Sequence, residues 1–127
     1  MKITLITVGK IKENYLEQAI AEYAKRLGRY CKLEIIQVTD EKTPDGASAS
    51  AEEQIKEKEG QRILAHIKEG MYVIALAIKG NMLTSEELAK KIDSLGIGGV
   101  SHTVFVIGGS LGLSDSVLKR ADYQLSF

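Results

Sequence analysis

The chain has 127 residues, 44% of them hydrophobic and 27% charged, the profile of one globular domain spanning residues 1–127. Seventeen basic and seventeen acidic side chains cancel to a net charge of zero, which argues against tight, non-specific attraction to nucleic acid. No apolar run approaches the ~18–20 residues of a membrane span, the opening MKITLITVGKIKENY has no small-residue cleavage site, and the lone Cys31 excludes an internal disulfide and fits a reducing compartment.

Ile3–Val8 is a β-branched run ended by Gly9, the first predicted strand. Lys12–Tyr30 reads as a helix, because Leu16, Ile20, Tyr23, Leu27 and Tyr30 recur at helical spacing and form one apolar stripe. Leu33–Val38 is the second strand. Asp40–Ser50 holds the only proline, Pro44, beside Asp45-Gly46, and is expected to be a loop. Ser50 with Glu53 has the spacing of a capping box for a helix over Glu52–Ile67. Gly60 lies inside that helix, where glycine costs about 1 kcal/mol relative to alanine. Such a glycine suggests close approach of another backbone. Tyr72–Ile78 is apolar without alternation, so both faces of that strand should be covered. Lys79-Gly80-Asn81 then turns the chain. Thr84 and Glu87 form a second capping box, ahead of a helix over Glu86–Ser94. Gly96–Gly99 leads into a strand at Thr103–Ile107, followed by a short helix at Ser114–Arg120 and a last strand at Tyr123–Phe127. Strands alternating with helices imply a three-layer α/β domain built on a mostly parallel sheet.

Two stretches carry opposite charge. From Lys10 to Lys32 six basic residues face three acidic ones, and from Asp40 to Gly60 seven acidic residues face three basic. The first stretch suits either a polyanion or plain solvent.

The strand ends Leu76–Gly80 and Ile107–Gly112 are the candidate ligand site, since open α/β sheets bind ligands beyond the carboxyl ends of their strands. The glycines match neither a phosphate loop nor the dinucleotide fingerprint. Gly108–Gly112 does satisfy G-x-S-x-G around Ser110, but a hydrolase of that type needs a longer chain for its acid and base. His66 and His102 stand apart from any metal-ligand spacing, and no metal is expected. No catalytic base is nominated.

Several segments, in order along the whole chain, resemble one family: Met1–Thr4, Val8–Lys12, Tyr23–Leu27, Asp40–Lys42, Lys56–Gly60, Val106–Ser110 and Leu125–Phe127. The chain is similar to the ribosomal RNA large-subunit methyltransferase H family of the SPOUT superfamily. The resemblance implies a SPOUT-like α/β knot. It implies transfer of a methyl group from S-adenosylmethionine to N3 of a pseudouridine in 23S rRNA, by a cytoplasmic homodimer acting on assembled ribosomes, with no membrane partner. The family's cofactor contacts then fall on Leu76, Gly108, Leu125, Ser126 and Phe127. The family pattern continues past Leu125-Ser126-Phe127 with a further turn and a basic helix. Residues 1–127 taken alone are therefore expected to leave the knot incomplete and to bind cofactor weakly, without turnover. The alternative is a non-catalytic α/β module, a remnant of that enzyme, that binds a nucleotide-like ligand or dimerises.

Overall fold

The structure is a computed structural model that describes residues 1–127. Nine elements follow in order: β1 (Lys2–Val8), α1 (Asn14–Leu27), β2 (Lys32–Val38), α2 (Ala49–Leu64), β3 (Tyr72–Met82), α3 (Ser85–Ile97), β4 (His102–Ile107), α4 (Asp115–Arg120) and β5 (Tyr123–Ser126). The five strands join in one sheet in the order β2-β1-β4-β3-β5, and every pairing is parallel. No helix is long and apolar enough to cross a membrane.

Strand order fixes the layers. The crossovers β1-α1-β2 and β3-α3-β4 move one way across the sheet, whereas β2-α2-β3 and β4-α4-β5 move the other. Right-handed crossovers therefore put α1 and α3 on one face and α2 and α4 on the opposite face. This is the expected three-layer architecture, but its two sides pack unequally. Ile63 of α2 and Val117 of α4 close over Ile6, Val38, Val73, Val104 and Val106, and these seven residues form the main core cluster. Neither α1 nor α3 buries a single side chain. On α1 the predicted stripe exists, yet Leu16 is 40% and Tyr23 64% exposed. On α3, Lys91 stands over the Tyr123 ring, its ammonium 4.0 Å from the ring centre, and leans toward Tyr72.

Several boundaries differ from expectation. Ser48, not Ser50, caps α2: its Oγ accepts from the Ala51 N–H at 3.1 Å, and no reciprocal carboxylate completes a box. The cause is the turn just before it, where Ala47 N–H donates to the Pro44 carbonyl and Gly46 takes a left-handed φ of 69°. That turn delivers the chain in extended form at Ser48, which leaves Ser50 inside the first helical turn. The Thr84–Glu87 capping box is present, with bonds of 2.9 and 3.1 Å. Those bonds hold the Glu87 carboxyl below its ordinary range. α3 runs on through Gly96 to Ile97, closed by Gly99 at φ 97°.

The largest difference lies in β3. Val73, Ile74 and Ala75 are fully buried, as expected of a strand covered on both faces. Lys79-Gly80-Asn81, however, does not end the strand. β3 bulges over Ala77–Gly80 and resumes pairing with β5, so that Leu76 and Asn81 both register against Leu125. Ile78 stands at the crest of this bulge, 97% exposed.

Candidate active site

The carboxyl ends of β4, β3 and β5 lie side by side, because these strands are neighbours in the sheet. β4 ends in a tight glycine turn. Gly112 N–H donates to the Gly109 carbonyl at 3.0 Å, and Gly112 adopts a φ of 91°. A Cβ at Gly108 would lie 2.8 Å from the Gly112 carbonyl carbon, so no larger residue fits without moving the turn.

α2 braces this turn from below. Glu59 is only 4% exposed, and a Cβ at Gly109 would lie 3.1 Å from its carboxylate. Glu59 Oε2 accepts from the Glu41 N–H at 2.9 Å. Arg62 donates to the Thr39 carbonyl at 2.8 Å and to the Glu41 carboxylate at 2.6 Å. Ser116 Oγ donates to the Glu57 carboxylate at 2.9 Å. The residues following β2 and the residues following β4 are thus tied to one helix. Sequence reasoning missed Glu59 as a site residue. Its only signal was the Lys56–Gly60 run, and nothing local shows that its carboxylate turns inward.

On the other side the β3 bulge wraps the end of β5. Ser126 Oγ donates to the Ile78 carbonyl at 3.2 Å, and Asn81 Nδ2 donates to the Gln124 carbonyl at 3.4 Å. A Cβ at Gly80 would come within 2.8 Å of the Gln124 backbone. Leu76, Ala77, Ile78, Ser126 and Phe127 line a shallow cavity of about 250 Å³ here.

The structure therefore brings Leu76, Ser126 and Phe127 together. Leu125 is a core residue, 1% exposed, so only its backbone can meet a ligand. Gly108 stands one strand away and does not line the cavity. Phe127 lies just beyond β5, not within it. His102, at the opposite end of β4, shares a 2.7 Å hydrogen bond with Thr4 Oγ1 and takes no part in the site.

A strand-end cavity walled by apolar side chains and backbone is a general ligand site, and comparison with known proteins shows the family of the chain that carries it. The model of the family described as predicted SPOUT methyltransferase matches residues 1–127. The chain belongs to that family. It is 66% identical over all its 127 residues to the ribosomal RNA large subunit methyltransferase H of Bifidobacterium adolescentis. It is 63% identical to the Clostridium perfringens protein named ribosomal RNA large subunit methyltransferase H 1 and 59% identical to a methyltransferase H of Clostridium kluyveri. In each case the match covers the whole chain and 80% of the relative. A methyltransferase needs a methyl donor.

Proposed function

We propose that this methyltransferase uses S-adenosylmethionine to methylate N3 of a pseudouridine in 23S rRNA of the assembled ribosome. It acts in the cytoplasm as a homodimer, with Leu76, Gly108, Leu125, Ser126 and Phe127 contacting the cofactor. One observation carries the reading: identity of 59–66% along the whole chain to proteins named for large-subunit rRNA methylation. The site's chemistry supports it. Leu76, Ala77, Ile78 and Phe127 offer apolar walls to a flat heterocycle, and Ser126 adds a hydroxyl. The residues present fit an adenosyl group on those grounds.

S-adenosylmethionine supplies a methyl group already activated on a sulfonium. What remains for the chain is binding, alignment and exclusion of water. The apolar walls shield the donor, and the Gly108–Gly112 turn, braced by Glu59, sets one boundary of the reacting volume. N3 of the acceptor must lose a proton, either to solvent or to a base. The half-exposed stripe on α1 supports the homodimer, because a second copy would cover Leu16, Ile20 and Tyr23.

The test is methyl transfer from labelled S-adenosylmethionine to assembled ribosomes lacking the modification, followed by nucleoside mass spectrometry. Label on N3 of one pseudouridine in 23S rRNA is expected. Label on any other nucleoside overturns the proposed target. Donor binding without transfer would make the chain a ligand-binding module instead.

A further inference from the structure

The charge asymmetry of the N-terminal stretch divides in the folded chain. α1 is 14 residues long, so its two ends lie about 20 Å apart. Lys25, Arg26 and Arg29 gather at its carboxyl end. Lys10 and Lys12 precede its start, and there they border a separate cavity of about 440 Å³. Val8, Gly9, Gln37, Val38, Thr39 and Asp40 complete the lining, at the carboxyl ends of β1 and β2.

This cavity adjoins the candidate active site. β1 neighbours β4 in the sheet, and a Cβ at Gly109 would lie 3.2 Å from Val8 Cγ1. The chain passes from β1 toward β2 and from β4 toward β5, in opposite directions. The β1–β4 boundary is therefore a topological switch point, the place where open α/β sheets bind ligands. The lining is polar, and its cations are available: neither Lys10 nor Lys12 is in an ion pair. Two ammonium groups against the single carboxylate of Asp40 leave it positive. Gln37, Thr39 and Asp40 present the donors and acceptors that a base edge or a ribose hydroxyl would meet. Arg62 and Glu59 hold the Thr39–Glu41 backbone in place, so the wall is fixed before a ligand arrives.

We propose that this cavity is an RNA subsite, which takes one nucleotide of the substrate strand with its phosphate against Lys10 and Lys12. The inference rests on the rRNA reading above and adds to it the residues that would hold the strand beside the methyl donor.

The experiment compares the double variant Lys10→Gln/Lys12→Gln with Lys25→Gln/Arg29→Gln, which removes the same charge from the far end of α1. Binding to large ribosomal subunits is measured across a salt series, and S-adenosylmethionine binding is measured by calorimetry. For the first variant the affinity for subunits should fall about tenfold, and the slope of log K against log salt should shrink by roughly 0.7, the share of one single-stranded phosphate. Donor binding should hold, and the second variant should bind subunits like the parent chain. Equal losses in both variants, or none in the first, overturn the subsite alone. A parent chain that binds no subunits at all overturns the rRNA reading, and the subsite with it.

Discussion

Gly60 lies within α2, where alanine would raise helix propensity by about 1 kcal/mol. A methyl group there would sit 2.3 Å from Ser114 Oγ and 3.3 Å from Val117 Cγ2. What this glycine admits is thus not another backbone, as anticipated, but the Ser114 and Val117 side chains of the α4 start, within the same chain. Ser114 Oγ also accepts from the Val117 N–H and caps α4. Gly60→Ala should therefore displace that hydroxyl and destabilise the fold by about 1–2 kcal/mol in urea unfolding, the loss of a cap plus local overpacking. In the double variant Gly60→Ala/Ser114→Gly the clash is gone, so the combined cost should fall below the sum of the single costs. His102 supports a second prediction. Burial, then the charge of Lys2, pushes its pKa below the ordinary value of about 6.5. The unfolded chain then takes up this proton before the folded chain does. Stability is full above about pH 6.5 and is lost as pH falls toward the folded pKa. His102→Gln should flatten that part of the urea-midpoint profile.

At the scale of elements, α3 packs through half-buried Leu88, Ile92 and Leu95, with Lys91 over Tyr123 beside them. Lys91→Ala should cost about 0.5–1 kcal/mol and should speed amide exchange across Ser85–Ile97 more than across α2. Gly80→Val tests the β3 bulge, because its side chain would meet the Gln124 backbone. Donor affinity should drop severalfold in calorimetry while β1, β2 and β4 keep their exchange protection; unchanged affinity would detach the bulge from the site. The strands were legible because each is a local apolar run bounded by polar or glycine residues. Ile3–Val8 and Thr103–Ile107 as read lie within one residue of β1 and β4. Lys79-Gly80-Asn81 was misread for a physical reason. Its turn chemistry is local, but the partner that keeps it in the sheet, Gln124–Ser126, lies more than forty residues on. Glu59 was illegible on the same ground, as its inward orientation is fixed by Glu41 and Gly109. Of the site, Leu76 follows from its place at a strand end as well as from the family resemblance, Ser126–Phe127 from the resemblance alone, and the structure gathers them in one cavity.

Over the whole molecule, burial is lopsided: α2 and α4 cover the main core cluster while α1 and α3 leave their side half open. The stripe on α1 was readable from spacing, but what covers it is not written in the same helix. If a second copy covers it, as proposed, Ile20→Glu should shift sedimentation from dimer to monomer with little change in far-ultraviolet circular dichroism; a parent chain that sediments as a monomer would remove the dimer from the reading. The doubled registration of Leu125 bears on how the chain assembles in time. β5 is made some forty residues after β3, yet β3 must leave the bulge open to receive it. A ribosome releases β3 long before β5, so the nascent sheet spends an interval with β3 as a bare edge. Pairing of this kind joins distant segments and is slow, because closing the long intervening loop costs entropy before any contact repays it. Newly made chains are therefore most prone to wrong partners on the β3 side, until β5 seats.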